Sequence, residues 1–183
     1  AFEDYKAGDK LVPFKVLDGT FKGSELVGLA YEQLIPWFNP GEGAFRVIPG
    51  DYVTTEDGTG IVHIAPTFGA DDAKVASLAG VPALRVIDRN GESQAQVDRQ
   101  GRFSRLEAVD VDYVKANVSD TYTPFAGRYV KNAYDATLAE DAPTLDIDIC
   151  LMLKAEGKAF KIEKHVHTYP HCWRTDKPVL YYP

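Results

Sequence analysis

The chain is poor in the residues that staple a protein together or anchor it. Only two cysteines, Cys150 and Cys172, occur among 183 residues. That is too few for a disulfide scaffold, and it points to a reducing, cytoplasmic setting. No apolar run approaches the roughly 18 residues of a membrane span. No basic segment followed by an apolar one opens the sequence as a secretory leader would. A membrane partner is therefore not expected. Positive charge is also in short supply, with a net charge of −7. This excludes a protein built mainly to grip a long phosphate backbone, although brief contact with one end of a nucleic acid stays compatible. There is no low-complexity tract, no visible internal repeat and no serine-centred G-x-S-x-G elbow. Gly58 and Gly60 are followed by no third glycine in register, so no dinucleotide fingerprint is present.

What is there is an ordinary globular balance, 45% hydrophobic and 26% charged, enough for one domain over 1–183. Short strands are expected at 11–17 (LVPFKVL), 25–31, 44–48 (AFRVI) and 51–55 (DYVTT). The stretch PWFNPGEG, 36–43, reads as a loop from its prolines and glycines. GIVHIA, 60–65, carries the strongest strand signal. The period then changes. ADDAKVASLAG, 70–80, has acids at its start and Gly80 at its end, the polarity that suits a helix dipole and a C′ glycine. LRVIDRNGE, 84–92, is a strand entering a turn. Residues 93–142 are polar and mixed. LDIDICLMLKAEG, 145–157, is a helix with Leu145, Ile149, Met152 and Leu153 on one face, stopped by Gly157. KAFKIEKHVHTY, 158–169, alternates like a long strand. The sum is an α+β class: a strand-rich, barrel-like curved core with a few peripheral helices. The chain ends on PVLYYP, apolar to the last position, as if cut from something larger.

Two clusters could carry chemistry. In GTGIVHIAPTFGADD, 58–72, the glycines permit close approach to the backbone. On a strand, His63 shares its face with the short Ala65, which leaves room beside the imidazole. Asp71 and Asp72 fall in the first turn of the next helix, where unpaired N–H groups keep a carboxylate ionised. A fixed anion beside a small space suits an ammonium group. The plain alternative is a pair of capping aspartates and a structural histidine. The second cluster is HVHTYPHC, 165–172. On a strand His165 and His167 share a face, and Cys172 could complete a small metal site, although the spacing matches no established zinc pattern. Cys150 lies inside a helix among apolar neighbours and reads as packing. Cys172 has His171 beside it, but strand neighbours point to opposite faces, so a cysteine nucleophile finds no base.

GTGIVHIAP followed by FGADD resembles the editing domain of the isoleucyl-tRNA synthetases, a module inserted into their catalytic domain. FKGSELVGLAYE, 21–32, is similar to the strand pair ahead of that glycine motif, and TYPHCWRTDKPVLYYP, 168–183, to the segment returning to the synthetase body. The valyl enzymes usually carry lysine where His63 stands and the leucyl enzymes methionine, so V-H-I-A-P is the isoleucyl form. The resemblance implies hydrolysis of valine wrongly attached to isoleucine tRNA, and of valyl-adenylate. It implies catalytic roles for His63, on the pocket wall, and Asp72, holding the substrate ammonium. The pocket it implies is drawn from Gly58, Thr59, Gly60, His63, Ala65, Phe68, Gly69, Asp71 and Asp72. Valine lacks one methylene of isoleucine, worth about 1–3 kcal/mol in a pocket, a magnitude that this very family of enzymes established. A second, smaller pocket can admit valine and reject isoleucine by clash. The implied partners are the 3′ end of isoleucine tRNA and the rest of a synthetase chain, with a monomer as the working form. No cofactor or metal is implied for editing, because ATP and magnesium serve only the synthetic site. That site's H-I-G-H and K-M-S-K-S motifs are absent here, as is the family's threonine-rich W-T-T-T-P-W-T peptide. The alternative expectation is accordingly a catalytically silent binding segment.

Overall fold

The computed structural model describes residues 6–7, 10–11, 18–56, 59–139, 141–164 and 166–183. The strand expected at 11–17 lies outside these residues apart from Leu11, and so do Gly58 and His165.

Chain order begins with a two-residue antiparallel pair, β1 (Lys6–Ala7) and β2 (Lys10–Leu11), followed by the short helix α1 (Gly23–Leu26). Residues 25–31 thus begin as a helical turn and not as a strand. Glu25 explains this: its carboxylate accepts the Lys22 amide at 2.6 Å and closes the turn. The chain straightens only after Gly28. There Gly28, Leu29 and Tyr31 exchange backbone hydrogen bonds with Phe45 and Val47, so the pairing with 44–48 does form, around an Ala30–Arg46 bridge. Residues 51–55 are turns and bends, contrary to expectation.

GIVHIA at 60–65 runs without a ladder partner among the described residues. Ile61 is 64% exposed. Its β-branched composition describes side chains that fit a pleated surface, and that preference is met only where a facing strand exists. Helix α2 (Ala70–Leu78) follows, and its end is as the sequence indicates. Gly80 has φ +66, its amide bonds Ser77 O, and the Val81 amide bonds Ala76 O at 2.8 Å. This is the Schellman pattern, which only glycine enters without strain.

β3 (Val86–Ile87) pairs antiparallel with β4 (Ser93–Gln94), Val86 opposite Gln94, around the turn at 88–91. Helix α3 (Val111–Asn117) is capped by Asp110, whose carboxylate accepts the amides of Asp112 and Tyr113. Helix α4 (Leu145–Ala155) ends at Gly157 in a second Schellman pattern, with Lys158 N bonding Leu153 O at 2.8 Å. The long strand expected at 158–169 has no ladder among the described residues, and Phe160, Ile162 and Val166 face solvent. The chain ends in a hairpin where His171 bridges Pro178. Among the described residues these ladders define local hairpins.

The core is aromatic. Trp37, Phe38, Phe103, Tyr122 and Phe125 cluster with Val86, Val97 and Leu145, and Ile149 and Met152 of α4 pack on its flank. Trp37 lies 4.4 Å from Phe125 centroid to centroid, and Phe38 lies 4.5 Å from Tyr122. Tyr122 is 0% exposed, and its hydroxyl donates to Ser104 O at 2.6 Å. Much of this core comes from segments without a readable period. Trp37 and Phe38 belong to the 36–43 loop, which is tied down where Ser119 N bonds Trp37 O and Asn39 N bonds Asn117 O, both at 2.9 Å. The mixed stretch 93–142 supplies Ala95, Val97, Phe103, Val109, Tyr122 and Phe125.

Candidate functional site

Asp72 is the best-anchored residue of the 58–72 stretch. It sits in the first turn of α2 and is half-buried. Its Oδ2 accepts the backbone N–H of Ala65 at 2.9 Å. The intervening turn is closed by the amides of Phe68 and Gly69, both donating to Ala65 O at 3.1 Å. Gly69 precedes the helix, and a Cβ built there would lie 2.6 Å from Asp72 Oδ2. Glycine is therefore required at 69 for the carboxylate to fold back over the turn. None of the ion pairs among the described residues involves Asp72. The result is a carboxylate fixed by one oxygen at the positive end of a nine-residue helix.

His63 stands two residues before Ala65 with its side chain exposed. Asp71 is exposed beside Asp72. Gly60 adopts φ +76, and a Cβ there would meet Thr55 Cγ2 at 3.1 Å. Thr59 Oγ1 lies 3.4 Å from the Ile61 amide, a long contact within the loop. Phe68 packs against the aromatic core, so its ring holds the turn in place. The structure thus joins Ala65, Phe68, Gly69 and Asp72 into one bonded turn, while His63, Thr59 and Asp71 are exposed, with Thr59 contacting Ile61.

Two residues that no sequence motif singles out hold this turn. Thr67 is buried, and its hydroxyl donates to Leu84 O at 2.7 Å, stitching the turn to the strand that leads into β3. Arg46 donates through Nη2 to Ala79 O at the far end of α2. A cation there favours the negative end of the helix whose positive end carries Asp72. A threonine inside an A-P-T-F turn carries no distinguishing pattern, and Arg46 reaches across more than thirty positions, so sequence spacing signals neither.

The second cluster is arranged differently. His167 Nδ1 lies 3.0 Å from Thr168 O, and His171 Nδ1 lies 2.8 Å from Tyr169 O. Among the described residues no group of three or more His, Cys, Asp or Glu side chains assembles a metal site. Cys150 and Cys172 are free thiols. The Cys172 thiol is held below the usual cysteine range, chiefly by the Thr175 hydroxyl and then by the amides of Arg174 and Thr175. Among the described residues no helix is long and apolar enough to cross a membrane.

The whole sequence compares most informatively with long enzymes. It is 65% identical over 182 residues to a protein of Bacteroides fragilis named isoleucine–tRNA ligase, a match covering 99% of this chain and 16% of that one. The chain is homologous to a segment of the isoleucine–tRNA ligases. The ligase of Porphyromonas gingivalis is 58% identical over 180 residues, again 98% of this chain and 16% of the relative. That of Thermoplasma volcanium is 40% identical over 170 residues, 93% of this chain and 13% of the relative. The homologous region therefore runs through both Asp72 and the 93–142 stretch, and it amounts to a sixth or less of each ligase. No protein-family model matches the chain.

Proposed function

We propose that this ligase segment is an editing domain that hydrolyses the ester of valine wrongly attached to isoleucine tRNA. The observation that carries the reading is the anchored Asp72 carboxylate, fixed through Ala65 N at the start of α2. A substrate α-ammonium would pair with its remaining oxygen. His63, on exposed backbone two residues before Ala65, would bound the amino-acid side chain and help place the ester. On this reading the small Ala65 would leave space for valine, and one further methylene would clash. Hydrolysis then requires an oriented water and donors for the developing oxyanion, a role this reading gives to the Thr59–Gly60 backbone. On this reading the parent is a cytoplasmic, monomeric synthetase, and the fold of the segment is the family's curved barrel. The partners are the acylated 3′ end of isoleucine tRNA and the rest of the ligase, and the reaction needs no metal.

The bond from Ala65 N decides which variant tests this. Asp72→Ala would remove both the charge and the acceptor for Ala65 N, whereas Asp72→Asn keeps an acceptor oxygen and removes only the charge. Deacylation of valyl-tRNA for isoleucine by the 183-residue chain should be abolished in Asp72→Asn with the circular dichroism spectrum unchanged. Full activity in that variant would overturn the assignment. His63→Ala should admit the isoleucyl ester, seen as a rise in isoleucyl-tRNA cleavage relative to valyl. Unchanged discrimination would remove His63 from the pocket wall. No cleavage by the unmodified chain would favour the silent binding segment.

A further inference from the structure

The basic residues of this acidic chain are not spread evenly among its carboxylates. Three of them sit within cation–π distance of a tyrosine ring. Arg99 sits 5.6 Å from the ring centroid of Tyr182, Arg102 4.4 Å from that of Tyr129, and Lys131 4.0 Å from that of Tyr169. None of the three belongs to an ion pair among the described residues.

The three pairs share one wall. Arg102 bridges Tyr129, and Val130 N bonds Gly101 O at 2.8 Å. Gly101 is pressed against the Tyr134 ring, so closely that a Cβ there would lie 2.5 Å from it. The Tyr134 hydroxyl donates to Pro178 O at 3.1 Å, and the Tyr169 hydroxyl to Val179 O at 2.9 Å. These bonds bring residues 99–102, 129–134, 169 and 178–182 side by side. Two of the carboxylates nearest in sequence are engaged in their own turns. Asp98 accepts the amides of Gln100 and Arg102, and Asp135 accepts the amide and hydroxyl of Thr137. Asp135 also attracts Arg102 at longer range. Arg102 is itself tied into the wall, its Nη2 donating to the Tyr129 hydroxyl at 2.6 Å while its Nε is buried.

We propose that Arg99, Arg102 and Lys131, each steadied on a tyrosine ring, form a surface that binds the phosphates of an RNA strand. A cation held by an aromatic face keeps its charge, which a carboxylate partner would cancel, and loses the side-chain freedom that binding would otherwise remove. Cations set among aromatic rings are the chemistry by which single strands are held without base reading, phosphate on cation and base or ribose on ring. The choice of RNA over another polyanion rests on the editing reading above. The geometry of the patch does not, and neither does its test, which uses uncharged RNA and measures no hydrolysis.

The probe is a fluorescently labelled hairpin RNA with a four-nucleotide single-stranded 3′ end, titrated with the 183-residue chain across a series of salt concentrations. Binding should weaken with salt, with a slope of about 0.7 for each phosphate contact on a single strand. Arg99→Gln/Lys131→Gln should bind at least several-fold more weakly and lower that slope by about 1.4. This pair avoids half-buried Arg102, and an unchanged urea midpoint would show that the fold is kept. An unaltered affinity and slope in the double variant would overturn the proposal, and so would the absence of binding. Equal affinity for a glutamate-rich peptide of the same charge would overturn the assignment to RNA.

Discussion

At the scale of single residues, Asp72 and Tyr122 show how differently a side chain can announce itself. Asp72 is legible because an acid at a helix start has a dipole reason to be there. Its bond to Ala65 N is not legible, because a hydrogen bond to a backbone amide leaves no trace in residue type. Tyr122 carries no signal at all in the sequence, yet it is the most buried aromatic of the core, and burial pushes its phenol well up. Burial also raises Tyr113 and Tyr134. A native phenol held protonated while an unfolded tyrosine ionises, near pH 10, leaves the unfolded state with fewer bound protons. The contribution is complete below that pH and is lost as pH climbs towards the raised native value. Stability should therefore fall steadily above about pH 10. Tyr122→Phe should cost about 1–2 kcal/mol at neutral pH, because Ser104 O loses its donor. It should also fall less steeply, so that the two urea midpoints converge on the alkaline side. Parallel curves would show that another group governs alkaline unfolding.

At the scale of elements, the helices α2 and α4 are readable in the sequence, while α1, α3 and most extended segments are not. Both α2 and α4 end where a glycine follows the last apolar residue, because the left-handed cap is a local requirement of the chain itself. A strand needs a second strand, and 60–65 and 158–164 have the composition without a ladder partner among the described residues. Contrary to the expectation of no internal repeat, the turns carry a short one, D-R-N-G at 88–91 and D-R-Q-G at 98–101. In each, the aspartate Oδ1 accepts two amides, those of Asn90 and Glu92 in the first and of Gln100 and Arg102 in the second. The glycines Gly91 and Gly101 have φ +81 and +79. Their surroundings differ, since Gly91 faces open space and Gly101 lies against Tyr134. Gly91→Ala should cost about 1–2 kcal/mol, the conformational term alone. Gly101→Ala should cost that plus about 1–3 kcal/mol of overpacking. Equal shifts in urea midpoint would show that the Tyr134 contact yields without cost.

At the scale of the whole molecule, one aromatic cluster draws on the 36–43 loop, β3, the 97–103 hairpin, the 120–125 turn and α4. Residues contributed singly by so many turns produce neither a period of two nor one of 3.6, which is why 93–142 looks featureless as sequence although it holds much of the core. Such sharing predicts one cooperative transition. Leu145→Ala at the start of α4, which strips a buried side chain from that cluster, should cost about 2–4 kcal/mol. The loss should appear as a lower urea midpoint for the whole circular dichroism signal, and a separate early transition of α4 alone would contradict it. The two tryptophans stand at opposite extremes of this arrangement, Trp37 at 6% and Trp173 at 85% exposure. The protein accordingly carries two lamps of different colour. Trp37 should emit towards the blue for as long as the core is closed, while Trp173, in the 171–178 hairpin, should emit to the red and be open to a quencher such as acrylamide or iodide. Core and hairpin can thus be watched separately in one cuvette, with no label added.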